Sequence, residues 1–138
     1  MKYSVLAFFM FFSSVMLCQE IGSIEEGKHF IKLNKLDNVF LIRYSDVESQ
    51  NFENEHSFSF ADKNNFYSII INGFKNSKSH QIILQTGNDT IVKLNYKVVK
   101  NELMLYVYQN NLKKSTTGRS TFFSKKQIIN LFGKQEEV

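Results

Sequence analysis

Apolar and polar residues alternate across His80–Tyr108 in three short runs, and the runs match one another. A two-residue turn at Lys100-Asn101 sets Val98 opposite Leu103, Tyr96 opposite Leu105 and Leu94 opposite Val107. A three-residue Gly87-Asn88-Asp89 turn sets Leu84 opposite Val92 and Ile82 opposite Leu94, extending the same apolar face. Side chains alternate along a strand, so a slip of one residue would undo every one of these matches. Gly-Asn-Asp also tolerates the left-handed backbone that tight hairpins need. The pattern predicts an antiparallel β-meander at the centre of the fold. Gln81, Gln85, Lys93, Asn95 and Lys97 then fall on its second face.

Upstream, Lys28–Leu33 alternates weakly and Asn38–Tyr44 is rich in Val, Phe, Leu and Ile, with Lys35-Leu36-Asp37 between them as a hairpin connection. Gln19–Gly27 is polar and acidic and reads as a leader without regular structure, and Ser45–Glu55 reads as a loop. His56–Ala61 alternates as a strand, with His56, Phe58 and Phe60 on one side. In Asp62–Phe74, residues Phe66, Ile69, Ile70, Gly73 and Phe74 recur at helical spacing, although Tyr-Ser-Ile-Ile-Ile has strand propensity. Asp62 as an N-cap and the length of the segment decide for helix. Gln109–Ser120 is a polar, basic connection, and Thr121–Phe123 is a short strand candidate. Ser124-Lys-Lys-Gln127 is a capping box, Ile128, Leu131 and Phe132 share a face, and Gly133 stops the helix. Residues 135–138 form a frayed tail.

The first eighteen residues have another character. Lys2 precedes an apolar, Phe-rich run, Tyr3–Cys18, shorter than the roughly 20 residues a membrane-spanning helix needs. This is the pattern of a secretory signal peptide spanning residues 1–18, which implies export to a periplasm or beyond. Lipidation of Cys18 is the alternative, against which stands the bulk of Leu17. Without Cys18 the exported chain holds no cysteine, which excludes disulfides and thiol catalysis. Residues 19–134 then make one α+β domain with no internal sequence repeat, no linker and no transmembrane segment.

Charge sharpens the picture. Residues 19–74 carry five basic and nine acidic side chains, whereas residues 75–134 carry eleven basic and two acidic. The second half can therefore present a positive surface to an acidic protein or envelope polymer, although a solvated lysine-rich face is the plainer reading. The capped Lys-Lys-Gln-Ile helix ending in Leu131-Phe132-Gly133-Lys134, together with the signal-like start, resembles small exported bacterial β-rich proteins of uncharacterised function. That resemblance implies export and carries no activity.

Catalytic and metal-binding patterns are sparse. His29, His56 and His80 show no paired spacing and no neighbouring cysteine or acidic cluster, so no metal or cofactor is expected. No G-x-S-x-G elbow is present, and Glu53 and Glu55 read as solvated charges rather than an acid–base pair. Lys113–Thr121 contains one glycine, Gly118, and has Arg119 where a phosphate loop has lysine, which excludes nucleotide binding. A looser anion site through Lys113, Lys114 and Arg119 stays open, beside the reading as a plain polar connection. With Leu103, Leu105 and Val107 turned to the core, Met104, Tyr106 and Tyr108 face away as amphipathic contact residues unless a helix or another strand covers them. The sequence thus predicts an antiparallel sheet of five to seven strands with two helices packed on it. Function reads as a non-enzymatic binding module using Met104, Tyr106, Tyr108, Lys113, Lys114 and Arg119, with no nucleic-acid partner. A small envelope-directed hydrolase using His56 or His80, or a lipid-anchored envelope subunit, are the alternatives.

Overall fold

The computed structural model describes residues 18–49 and 54–135. Residues 1–17 of the expected signal peptide, Glu53 and the last three residues lie outside these. Eight strands and two helices follow in the order β1 (Cys18–Glu26), β2 (His29–Leu36), β3 (Val39–Ser45), β4 (Glu55–Phe60), α1 (Lys63–Phe74), β5 (His80–Thr86), β6 (Thr90–Val99), β7 (Glu102–Asn111), β8 (Thr116–Arg119) and α2 (Lys125–Leu131). The α+β class with antiparallel pairing is therefore observed. The strands do not join one sheet: β1-β2-β3-β4 form the first and β5-β6-β7-β8 the second, each in sequence order. The chain thus builds four strands and a helix twice, a repetition of structure with no counterpart in residue identity.

The predicted meander register holds at each position named above. Val98 pairs with Leu103, Tyr96 with Leu105 and Leu94 with Val107, while Leu84 pairs with Val92 and Ile82 with Leu94. Lys100 and Asn101 both take positive φ, 52° and 66°, as a two-residue hairpin turn with the strands' own twist requires. Asp62 caps α1 by accepting from the Asn65 amide at 3.0 Å. Ser124 and Gln127 close the capping box of α2. At the other end of α2, Gly133 at φ 67° lets its N–H reach the Asn130 carbonyl and the Lys134 N–H reach Ile129, both at 3.0 Å.

Two segments read as irregular are strands, and Thr121–Phe123, read as a short strand, makes only a single bridge, Phe123 to Leu105. Cys18–Glu26 is an edge strand paired with β2 rather than a leader without regular structure. Its polar side chains point to solvent, while Ile21 and Ile24 pack against the core around a bulge at Glu20–Gly22. The basic connection after Tyr108 is a hairpin: β7 runs on to Asn111, Ser115 turns at φ 54°, and β8 pairs Tyr108 with Arg119. Both were hidden because their exposed faces are polar, leaving too few apolar positions to show a period of two.

One core serves both sheets and both helices. Ile31, Leu33, Ile42, Tyr44 and Phe58 come from the first sheet, Val92, Leu94, Tyr96, Leu105 and Val107 from the second, and Phe66, Ile70, Ile128, Leu131 and Phe132 from the helices. Each helix makes its closest approach to the sheet it does not follow. In α2, the Leu131 carbonyl lies where a side chain on Gly22 of β1 would stand. In α1, Gly73 leaves room for the Tyr96 ring of β6, whose hydroxyl donates to the Ile70 carbonyl at 2.7 Å. Phe66 stacks on Phe60 at 4.3 Å and on Phe132 at 6.4 Å, tying α1 to the first sheet and to α2.

Candidate functional site

Alternation in the second sheet sends Leu105, Val107 and Gln109 into the core, so Met104, Tyr106 and Tyr108 stand on the outer face. The ladder arranges that face in rows: Ile83, Lys93, Tyr108 and Arg119 in one, Gln81, Asn95 and Tyr106 in the next, and Gln85, Ile91, Asn110 and Thr117 in a third. No acidic residue stands in these three rows. The cations lie against the aromatic rings. Arg119 sits 4.3 Å from the centre of Tyr106 and 6.0 Å from Phe122, Lys97 is 5.6 Å from Tyr106, and Lys93 is 5.8 Å from Tyr108. Phe122 meets Tyr106 edge-on at 5.2 Å. Such cation–ring contacts contribute about 0.5–1 kcal/mol each at exposed sites, and they hold long side chains in place before a partner arrives. Ile83, 60% exposed, adds an apolar contact in the row of Arg119.

Arg119 is fixed from behind. Its amide donates to Asp46 Oδ1 at 3.2 Å and its carbonyl accepts from Val47 at 2.9 Å, so β8 is pinned to the segment that follows β3. Asp46 is 7% exposed; the same Oδ1 accepts from the Glu48 amide at 3.0 Å, and Oδ2 accepts from His56 Nε2 at 3.1 Å. His56 lies against Gly118, where a Cβ would come within 2.5 Å of the imidazole Cδ2. Behind the imidazole, Tyr44 donates to Gln109 Oε1 at 2.7 Å, and Gln109 donates to the Ser57 carbonyl at 3.2 Å. Burial above all, then the charges of Asp46 and Tyr108, pushes the Tyr44 phenol far above its ordinary range. The guanidinium itself is under-used. Its ion pair with Glu48 is long, 3.9 Å, and half exposed, and its buried Nε has no acceptor among the described residues.

The predicted residues divide into two places. Tyr106, Tyr108 and Arg119 converge, with Met104 at the end of the same face opposite Lys97. Lys113 and Lys114 sit in the β7–β8 turn, at the far end of the hairpin from Arg119, where they line a cleft with the β5–β6 turn and the first sheet. Sequence reading had Lys93 and Lys97 on the outer face without linking them to the tyrosines, and it missed Phe122 and the Asp46–His56–Gly118 clasp. His80 stacks on Tyr96 at 4.5 Å and its Nδ1 donates to the Lys78 carbonyl at 2.8 Å. Among the described residues, no group of three or more His, Cys, Asp or Glu side chains could hold a metal ion, and no helix is long and apolar enough to cross a membrane. No protein family, curated protein or solved structure matches this chain.

Proposed function

We propose that this chain is an exported, non-enzymatic binding module whose outer second-sheet face holds an acidic protein or envelope polymer. One observation carries the reading: Arg119 is stacked on Tyr106 and pinned through its backbone, while its guanidinium makes only a long, half-exposed ion pair with Glu48 among the described residues. The exposed end of the guanidinium can meet a carboxylate or phosphate from a partner in a charge-assisted, bidentate contact. Lys93 and Lys97 widen the positive field around it. Export rests on Lys2 and the apolar run to Cys18.

Affinity capture of the tagged protein from an envelope fraction tests the reading, with the Tyr106→Ala, Tyr108→Ala, Arg119→Ala triple variant as the control. The expected result is one near-stoichiometric acidic partner, lost in the folded triple variant and weakened by salt. Equal capture by both proteins refutes it.

A hydrolase acting on envelope material is the second reading, favoured by the His56–Asp46 pair. The pair resembles the base and orienting carboxylate of a catalytic triad. Asp46 nevertheless spends its other oxygen on two backbone amides, the arrangement of a clasp. A lipid-anchored subunit would require modification of Cys18, exposed at the start of β1, and an intact mass equal to unmodified Gln19–Val138 excludes it.

A further inference from the structure

The β5–β6 turn and the β7–β8 turn are bound to each other at the end of the second sheet remote from Arg119. The Leu112 amide donates to the Asp89 carbonyl at 3.0 Å, and Asn111 Nδ2 donates to the Asn88 carbonyl and to Thr90 Oγ1, each at 3.3 Å. The paired turns make a rigid wall facing the first sheet. Between them lies a cleft of about 660 Å³, lined on the first-sheet side by Leu36, Val39 and Leu41 with Ser57 and Ser59, while the Phe58 ring points away into the core. That volume falls in the range of small-ligand sites. Lys113 and Lys114 stand exposed at its rim, and Asp89 on the same rim offsets one of their two charges. Val39, in the cleft lining, is 40% exposed, more apolar surface than a purely polar ligand would need.

A floor of three aliphatic side chains flanked by two serines, with a net positive rim at one end, matches a molecule with a hydrocarbon tail and one anionic head. We propose that this cleft binds a single-chain anionic amphiphile of the fatty-carboxylate class. The tail lies along Leu36, Val39 and Leu41, and the carboxylate meets Lys113 and Lys114. This site shares no residue with the outer face around Arg119, so either can fail without the other.

Isothermal titration of the purified protein with laurate, and with dodecanol as its uncharged counterpart, tests the proposal. Laurate should bind once per chain. Affinity should rise by up to about fourfold for each methylene added from decanoate to laurate. The Lys113→Gln, Lys114→Gln double variant should weaken laurate by about fivefold, as two exposed charge contacts allow, and leave dodecanol unchanged. Val39→Asp, at a position exposed enough to spare the fold, should weaken both. Absence of saturable laurate binding overturns the proposal, as does laurate affinity unaltered in both variants. Association with phosphatidylglycerol vesicles but not with free laurate also overturns it, by assigning the apolar rim to a membrane surface.

Discussion

Alanine at Gly73 should destabilise this protein, against the ordinary rule for helices. In an unobstructed helix interior, Gly→Ala adds about 1 kcal/mol of stability by restricting the unfolded chain and favouring helical backbone. Gly73 is one of the buried residues of α1, and a Cβ there would overlap Cζ and the hydroxyl of Tyr96. The ring has nowhere to retreat: it is 1% exposed, Phe74 packs edge-on at 5.1 Å, and His80 stacks at 4.5 Å. Overpacking of this kind costs about 1–3 kcal/mol. Displacing the ring would also break the Tyr96–Ile70 hydrogen bond and strand a buried hydroxyl, a further cost of about 1–2 kcal/mol. Set against the helical gain, the net loss is about 2–3 kcal/mol, or roughly 10 °C in Tm for a chain of this size. Circular dichroism melts of three proteins decide it: the Gly73→Ala variant, the same change in a Tyr96→Leu background, and Asn72→Ala, an exposed control on the same helix. The first should melt well below its parent, the second close to its own, and the third at or above the wild type. A Gly73→Ala protein that melts higher than wild type, or that loses as much in the Tyr96→Leu background, refutes the packing reasoning.

Alkaline pH should unfold the protein through its buried phenols. Burial raises the Tyr44 and Tyr96 pKa values well beyond the usual 10.0, so their full contribution is present below about pH 10 and is lost as the unfolded chain ionises above it. Stability should fall by about 1.4 kcal/mol per pH unit for each tyrosine; Tyr96→Phe should remove one of the two increments from urea midpoints measured against pH, and an unchanged slope contradicts the assignment. Asp46→Ala should free the Arg119 and Glu48 amides at a cost of about 2–4 kcal/mol, read as lost hydrogen-exchange protection at Arg119; protection that survives would show that β8 is held by other contacts.

Much of the local structure was legible because its signals are short-range. The meander register follows from matching apolar positions two residues apart, and the helix ends follow from Asp62, Ser124, Gln127 and Gly133. The Tyr106–Tyr108 face was legible on the same logic, since a strand that buries Leu105 and Val107 must turn its intervening residues outward. Where exposed polar residues diluted the alternation, as in Cys18–Glu26 and Thr116–Arg119, paired strands read as irregular chain. Losing β8 had a functional cost, because Arg119 looked like part of one loop with Lys113 and Lys114. A hairpin instead carries the arginine to the tyrosines and leaves the lysines at the turn.

The sequence by itself determined six of the eight strands and both helices, which side of each faces inward, and that the positive charge gathers in the second half. Those properties are written in periodicity, caps and turns, where residues a few positions apart decide the outcome. Only the tertiary structure divided the strands into two sheets and set each helix against the sheet it does not follow. It alone placed Asp46 under the Arg119 amide, 73 residues away, and Tyr44 against Gln109, 65 residues away. Contacts at such separations depend on close packing around Gly22, Gly73 and Gly118, where a missing side chain admits a distant neighbour, and spacing along the chain carries no mark of which neighbour that is.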